Sequence, residues 1–195
     1  MRLFVALWPP PDAVSELLAT VDDVRKDAPG LRWTRPEQWH LTLAFLGEVP
    51  DDRRPELDER LARAASRHPP LTLRFAGGGR FGTRVLFTRV DGDREPLTRL
   101  AASVSAAARR SRIPVDDRPY RPHLTLARGR DGEDLRPLAA RLESFAGATW
   151  TAARLDLVES RLGKGPDRTA RYVSVASWPL AGRARGETPR PVRDR

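Results

Sequence analysis

The chain contains no cysteine, which excludes a disulfide framework, a thiol nucleophile and any cysteine-ligated zinc or iron–sulfur centre. Histidine is scarce. Only His40, His68 and His123 occur, a poor supply for a metal site. Long apolar runs are missing as well: residues 3–8 form one, but Pro9, Pro10 and Pro11 cut it off too early for a signal-peptide core or a membrane span. A soluble, cytoplasmic protein with no metal, no cofactor and no membrane contact is the expectation. Lysine is nearly absent, occurring only as Lys26 and Lys164, so arginine carries the formal net charge of +9. That balance favours an anionic partner, nucleic acid or a phosphate ester, although an arginine-rich genome would produce the same skew. Part of the charge lies at the end of the chain, where Arg183, Arg185, Arg190, Arg193 and Arg195 outnumber Glu187 and Asp194. Residues 181–195 therefore read as a basic, unstructured tail on a single domain of residues 1–180.

Against these absences stands a repeat. His40-Leu41-Thr42-Leu43-Ala44 returns letter for letter as His123-Leu124-Thr125-Leu126-Ala127, 83 residues later. Side chains on a strand alternate faces, so each copy would turn its leucines into a core and its His and Thr to the other side. The correspondence extends beyond the pentapeptide. At the same offset Leu3-Phe4 meets Leu86-Phe87, Leu17 meets Leu100, Val21 meets Val104 and Arg35-Pro36 meets Arg118-Pro119. Each half reads strand, helix, motif strand, helix, strand, as an internal duplication would leave it.

Apolar stripes at three- and four-residue spacing predict helices opening near Asp12, Asp51, Asp93 and Asp131-Gly132. Residues 71–76 and 85–90 read as strands flanking a glycine-rich segment, 77–82, suited to a hairpin loop or a close approach to a ligand. Residues 150–160 read as one strand. The whole predicts an α+β fold of two pseudo-symmetric lobes, each an antiparallel sheet backed by helices, with a cleft where the motif strands meet.

Two imidazoles facing one cleft suit phosphoester chemistry, one ring taking a proton while the other gives one. Thr42 and Thr125 share the face of the histidines, and their hydroxyls can donate to phosphoryl oxygens. The matching motifs do not themselves say which histidine is the acid. His68, between a helix end and Pro69-Pro70, reads as structural or solvent-facing. Phe81 and Tyr120 are candidates to stack on a nucleobase, or else packing anchors. Arg80, Arg121 and Arg168 could guide an RNA backbone.

The paired His-x-Thr-x motifs resemble those of the 2H phosphoesterases. The flanking text, Trp39-His40-Leu41-Thr42-Leu43 with Phe45-Leu46-Gly47 and Tyr120-Arg121-Pro122-His123-Leu124-Thr125-Leu126-Ala127-Arg128, is similar to the bacterial RNA 2',3'-cyclic phosphodiesterase (2'-5' RNA ligase) branch. The resemblance implies metal-independent hydrolysis of an RNA terminal 2',3'-cyclic phosphate to a 2'-phosphomonoester, with reversible 2'-5' ligation in some relatives. It implies His40 as proton donor, His123 as proton acceptor, and Arg128 as a phosphate-binding residue beside Thr42 and Thr125. At the repeat offset Arg128 corresponds to Phe45, so the two sides are not equivalent. The expected partner is RNA or a nucleotide with a terminal cyclic phosphate, with no obligate protein partner and a monomeric chain. Two other readings stay open: the same chemistry on a small cyclic nucleotide or a 2'-5' linked oligonucleotide, and a non-catalytic RNA-binding module.

Overall fold

Alternation of apolar and polar residues decides the strands, and the two motif strands show it most plainly. In the computed structural model Leu41, Leu43, Leu124 and Leu126 are buried, whereas His40, Thr42, His123 and Thr125 are half-buried on the opposite face. The structure describes residues 1–130, 132–165 and 169–183. Asp131, Arg168 and most of the basic tail lie outside the described residues.

In chain order the elements are β1 (Arg2–Leu7), α1 (Pro11–Arg25), β2 (Arg32–Trp33), β3 (Leu41–Glu48), α2 (Arg54–Ala65), β4 (Leu71–Phe81), β5 (Val85–Gly92), α3 (Arg94–Arg110), β6 (His123–Arg128), α4 (Arg136–Arg141), β7 (Trp150–Ala152), β8 (Arg154–Arg161) and β9 (Arg171–Pro179). They form two antiparallel sheets, one ordered β3-β1-β8-β9 and the other β2-β6-β5-β4-β7. The α+β architecture with two sheets backed by helices is the one expected.

The lobes are not the sequence halves. The 83-residue repeat relates β1 to β5, β3 to β6 and β4 to β8, yet the sheets read β3-β1-β8 and β6-β5-β4. The third strand of each half has crossed into the other sheet. Two helices cross with it, since α1 packs on β4 and α3 on β3, while α2 lies against α3 and β9 and α4 against β4. One main core spans both sheets, with Leu7, Leu17, Leu41, Leu73, Leu97 and Leu124 fully buried in it, and a small second cluster of Phe4, Ala6 and Val158 lies on the other face of β1.

Two expected elements are redrawn. The glycine run is no loop: β4 continues through it to Phe81, and the turn comes at Gly82. A Cβ at Gly77 would lie 2.1 Å from the Arg89 guanidinium, at Gly78 2.4 Å from the Ala139 carbonyl oxygen of α4, and at Gly79 2.4 Å from the Phe87 ring. The close approaches are thus to the protein's own groups, and side chains are absent because other atoms occupy their space. The segment 150–160 is two strands, because the chain leaves one sheet after Ala152 and joins the other at Arg154. Continuous apolar alternation conceals such a crossing.

Leu41→Ala and Leu124→Ala, each emptying a fully buried site on a motif strand, are expected to lower the unfolding free energy by about 2–5 kcal/mol apiece in urea titration. Losses below about 1 kcal/mol would show that these leucines do not anchor the motif strands.

Candidate active site

His40 sits at the entry of β3, after a 3₁₀ turn, Pro36–Gln38, that proline opens. Its Nδ1 lies 2.6 Å from the Gln38 carbonyl oxygen, and His123 Nδ1 lies 2.7 Å from the Arg121 carbonyl oxygen. Gln38 and Arg121 are themselves 83 residues apart, so the repeat includes this support. A carbonyl oxygen can only accept, so Nδ1 carries the hydrogen in both rings and Nε2 is left to handle protons.

Aromatic rings wall both histidines. Phe4 packs on His40 at 4.7 Å between centroids and its repeat partner Phe87 on His123 at 5.3 Å. Tyr172 meets His40 edge-on at 5.2 Å, with Trp8 at 5.4 Å, and Phe81 meets His123 edge-on at 4.8 Å. Gly79 leaves the room in which the Phe87 ring lies.

A cleft of about 730 Å³ opens beside both rings, and every residue expected at the site lines it: His40, His123, Thr42, Thr125, Arg128, Phe81 and Tyr120, together with Tyr172. Tyr120 is a wall of the cleft, its ring packed on the core and its hydroxyl sealed from solvent with no hydrogen-bond partner, which pushes the phenol pKa up. Arg121 lines the cleft, whereas Arg80 folds back onto the Gly82 carbonyl. His68 pairs through Nε2 with the Ser103 hydroxyl at 2.9 Å. Among the described residues no group of three or more His, Cys, Asp or Glu is placed to hold a metal ion, and no helix is long and apolar enough to cross a membrane.

A hydrogen-bonded bolt ties the two motifs together. The Trp39 indole N–H donates to the Thr34 hydroxyl at 2.9 Å, and that hydroxyl lies 2.9 and 2.8 Å from the Thr125 and Leu126 carbonyl oxygens of β6. Thr34 N–H also donates to Leu126 O at 2.8 Å. A second tie runs from the Gln38 amide to the Ala170 carbonyl at 2.7 Å, bracing the turn that carries the His40 acceptor.

Burial among these rings is the main force on the imidazoles. It pulls His40 down to about 4 against the opposing pull of the Gln38 carbonyl, with His123 and Arg128 adding smaller repulsions. His123 is lowered by burial too, partly offset by the Arg121 carbonyl, and Arg128 lowers it further. Both imidazoles are therefore held toward the neutral form, and an anion placed between them and Arg128 would draw protons onto the pair.

Sequence reasoning missed Tyr172, Thr34 and Gln38. Phe4 and Phe87 were visible at the repeat offset but read simply as strand residues. Thr34 gave no such signal, since its counterpart at that offset is Asp117.

The family model of the 2'-5' RNA ligase superfamily matches residues 9–164. The chain belongs to this superfamily. An RNA 2',3'-cyclic phosphodiesterase of Thermus thermophilus is 35% identical over 180 residues, covering 85% of each chain. Another of that name, from Geobacillus stearothermophilus, is 32% identical over 170 residues, covering 85% of this chain, which spans 53% of the relative's length. Among solved structures, TT0787 of Thermus thermophilus superposes with a TM-score of 0.76 at 30% identity, covering 94% of this chain and 100% of that one. The superfamily fold is thus carried over nearly the whole described chain.

Thr34→Val removes the bolt and leaves the Trp39 N–H unpaired, so it is expected to cost about 1–3 kcal/mol of unfolding free energy; a loss within error would show that the tie is incidental. A second measurement concerns acid. With its folded pKa at about 4, below the unfolded 6.5, His40 stays neutral where the unfolded chain takes up the proton. Its contribution to stability is complete above pH 6.5 and is lost as pH falls toward 4, by about 2–3 kcal/mol. The difference in stability between His40→Gln and the wild type is expected to change by that amount across this window; a constant difference would argue against a neutral, buried His40.

Proposed function

We propose that the protein hydrolyses the terminal 2',3'-cyclic phosphate of RNA to a 2'-phosphomonoester, using His40 as proton donor and His123 as proton acceptor. What carries this reading is the pair of imidazoles with free Nε2 atoms, each beside a threonine, lining one cleft with Arg128. The names of the relatives point to the same substrate. His123 Nε2 takes a proton from water as the water oxygen bonds to phosphorus. The bond from phosphorus to O3' breaks, and His40 Nε2–H gives its proton to O3'. Thr42 and Thr125 donate to the non-bridging oxygens, and Arg128 holds their charge. Each ring is fixed in one tautomer by its backbone carbonyl, so neither must reorient during the step. RNA is favoured over a free mononucleotide because the cleft is large and Arg121 lines it beside the residues of the second motif.

The test is an oligoribonucleotide ending in a 2',3'-cyclic phosphate, incubated in EDTA. The wild type is expected to yield the 2'-phosphate, and His40→Ala or His123→Ala to slow it about 10²- to 10⁴-fold. A wild type that binds the RNA in a salt-sensitive way without opening it would instead make the protein a binding module.

The active form carries one proton on the pair, so kcat/KM is expected to be bell-shaped. Its maximum falls between the two free-enzyme values, about 4 for His40 and somewhere below 6.5 for His123, hence on the acid side of pH 6.5. The kcat profile is expected at higher pH, because the bound anion raises both groups. A kcat/KM maximum above pH 7 would contradict this assignment.

A further inference from the structure

Many of the arginines are already engaged with carboxylates, as Arg54 is with Asp58, Arg60 with Glu56 and Arg99 with Glu95 along their helices. Arg2 is not. It is exposed, and among the described residues it has neither an ion pair nor a side-chain hydrogen bond. Strand alternation on β1 sends Leu3, Val5 and Leu7 into the main core and leaves Arg2 with Phe4 and Ala6 on the other face, where Phe4 packs on His40. Leu3 pairs with Glu159 of β8, and the next residue of β8, Ser160, pairs with Tyr172 of β9. Arg2, Ser160 and Tyr172 therefore form one row across three neighbouring strands, with the small serine in the middle. Tyr172 joins this row to the site, since it lines the cleft and meets His40 edge-on. Burial raises its phenol pKa, while Arg128 and Arg2 both pull it down, so its hydroxyl lies within electrostatic reach of one cation in the cleft and another beyond the rim. Glu48, directly opposite Arg2 on β3, has its carboxylate 3.6 Å from the Met1 amine. At the repeat offset Arg2 corresponds to Val85, so the other sheet has no cation at the matching position.

Resting on the hydrolase reading, we propose that Arg2, with the Ser160 hydroxyl beside it, holds the phosphodiester on the 5' side of the terminal nucleotide, so that the RNA body leaves the cleft over Tyr172 and across β1. Such a linkage carries one negative charge on two non-bridging oxygens. The guanidinium can donate two parallel N–H bonds to them and the serine a third. The row recognises the backbone and no particular base, and it gives a polymer end an advantage that a free nucleotide lacks.

The experiment uses an oligoribonucleotide ending in a 2',3'-cyclic phosphate and the same oligonucleotide with an uncharged methylphosphonate as the linkage 5' to its last nucleotide. Wild type, Arg2→Gln and Arg2→Lys are measured on both. The wild type is expected to prefer the charged linkage by roughly 3- to 30-fold in kcat/KM, mainly through KM, with Arg2→Gln losing most of that preference and Arg2→Lys keeping part of it. On the natural oligonucleotide the fall of log kcat/KM with log salt is expected to be shallower by about 0.7 in Arg2→Gln. Because the preference is a ratio within one variant, a loss of folded protein does not alter it. A wild type indifferent to the charge of that linkage would overturn the proposal, as would a preference unchanged in Arg2→Gln. A wild type that opens neither oligonucleotide fails the hydrolase reading and the proposal with it, whereas the other two outcomes overturn the proposal alone.

Discussion

The site depends on a short tether between two sheets. Residues 32–34 are hydrogen-bonded to β6, in one sheet, and six residues after Thr34 the chain arrives at His40 on the edge of β3, in the other. Thr34 accepts the Trp39 indole N–H while its own hydroxyl lies against the carbonyls of Thr125 and Leu126, so both ends of the tether are pinned. The residue before the first histidine is therefore braced on the strand that carries the second. The proposed proton transfer between two groups and one phosphate would tolerate little misplacement, and this route across the cleft fixes the two motif strands with few bonds free to rotate.

Around that tether the 83-residue repeat is deep but incomplete. It includes the histidines, threonines, core leucines, the carbonyl that fixes each tautomer and one aromatic neighbour of each ring. It ends at Tyr172, Thr34, and Phe45 against Arg128. The shared parts hold each imidazole in one tautomer and half-bury it against an aromatic ring. The parts that differ make the two walls chemically distinct, with an exposed phenylalanine on one and an arginine on the other.

Much of this is legible in the sequence. Strand periodicity placed the leucines inward and His and Thr outward, and the buried leucines and cleft-lining histidines follow that pattern. The fold class and the family could be read for the same reason, since both rest on local patterns repeated at one offset. What could not be read was which sheet each strand joined. Apolar alternation in β4 and β8 is the same whether a strand stays with its own half or crosses, so the exchange left no local trace. The glycines at 77–79 suggest a loop or a ligand contact because a missing side chain says only that space is needed, and what fills it here is Arg89, α4 and Phe87. The depressed pKa of His40 likewise comes from rings brought in by β1 and β9, distant in sequence.

The crossed strands have a consequence for how the protein is made. β1 pairs with β8 through Leu3 and Glu159, so a strand near the start of the chain waits for one near its end. Until then β1 and β3 form a two-stranded ribbon with an open edge, and β4 has been committed to the other sheet. Neither half of the chain holds a complete sheet. Pairings of such long sequence separation fold slowly, and a ribosome-bound chain would carry a bare strand edge through most of its synthesis. Each half of the chain supplies strands to both sheets, so neither half is a self-contained piece of the fold.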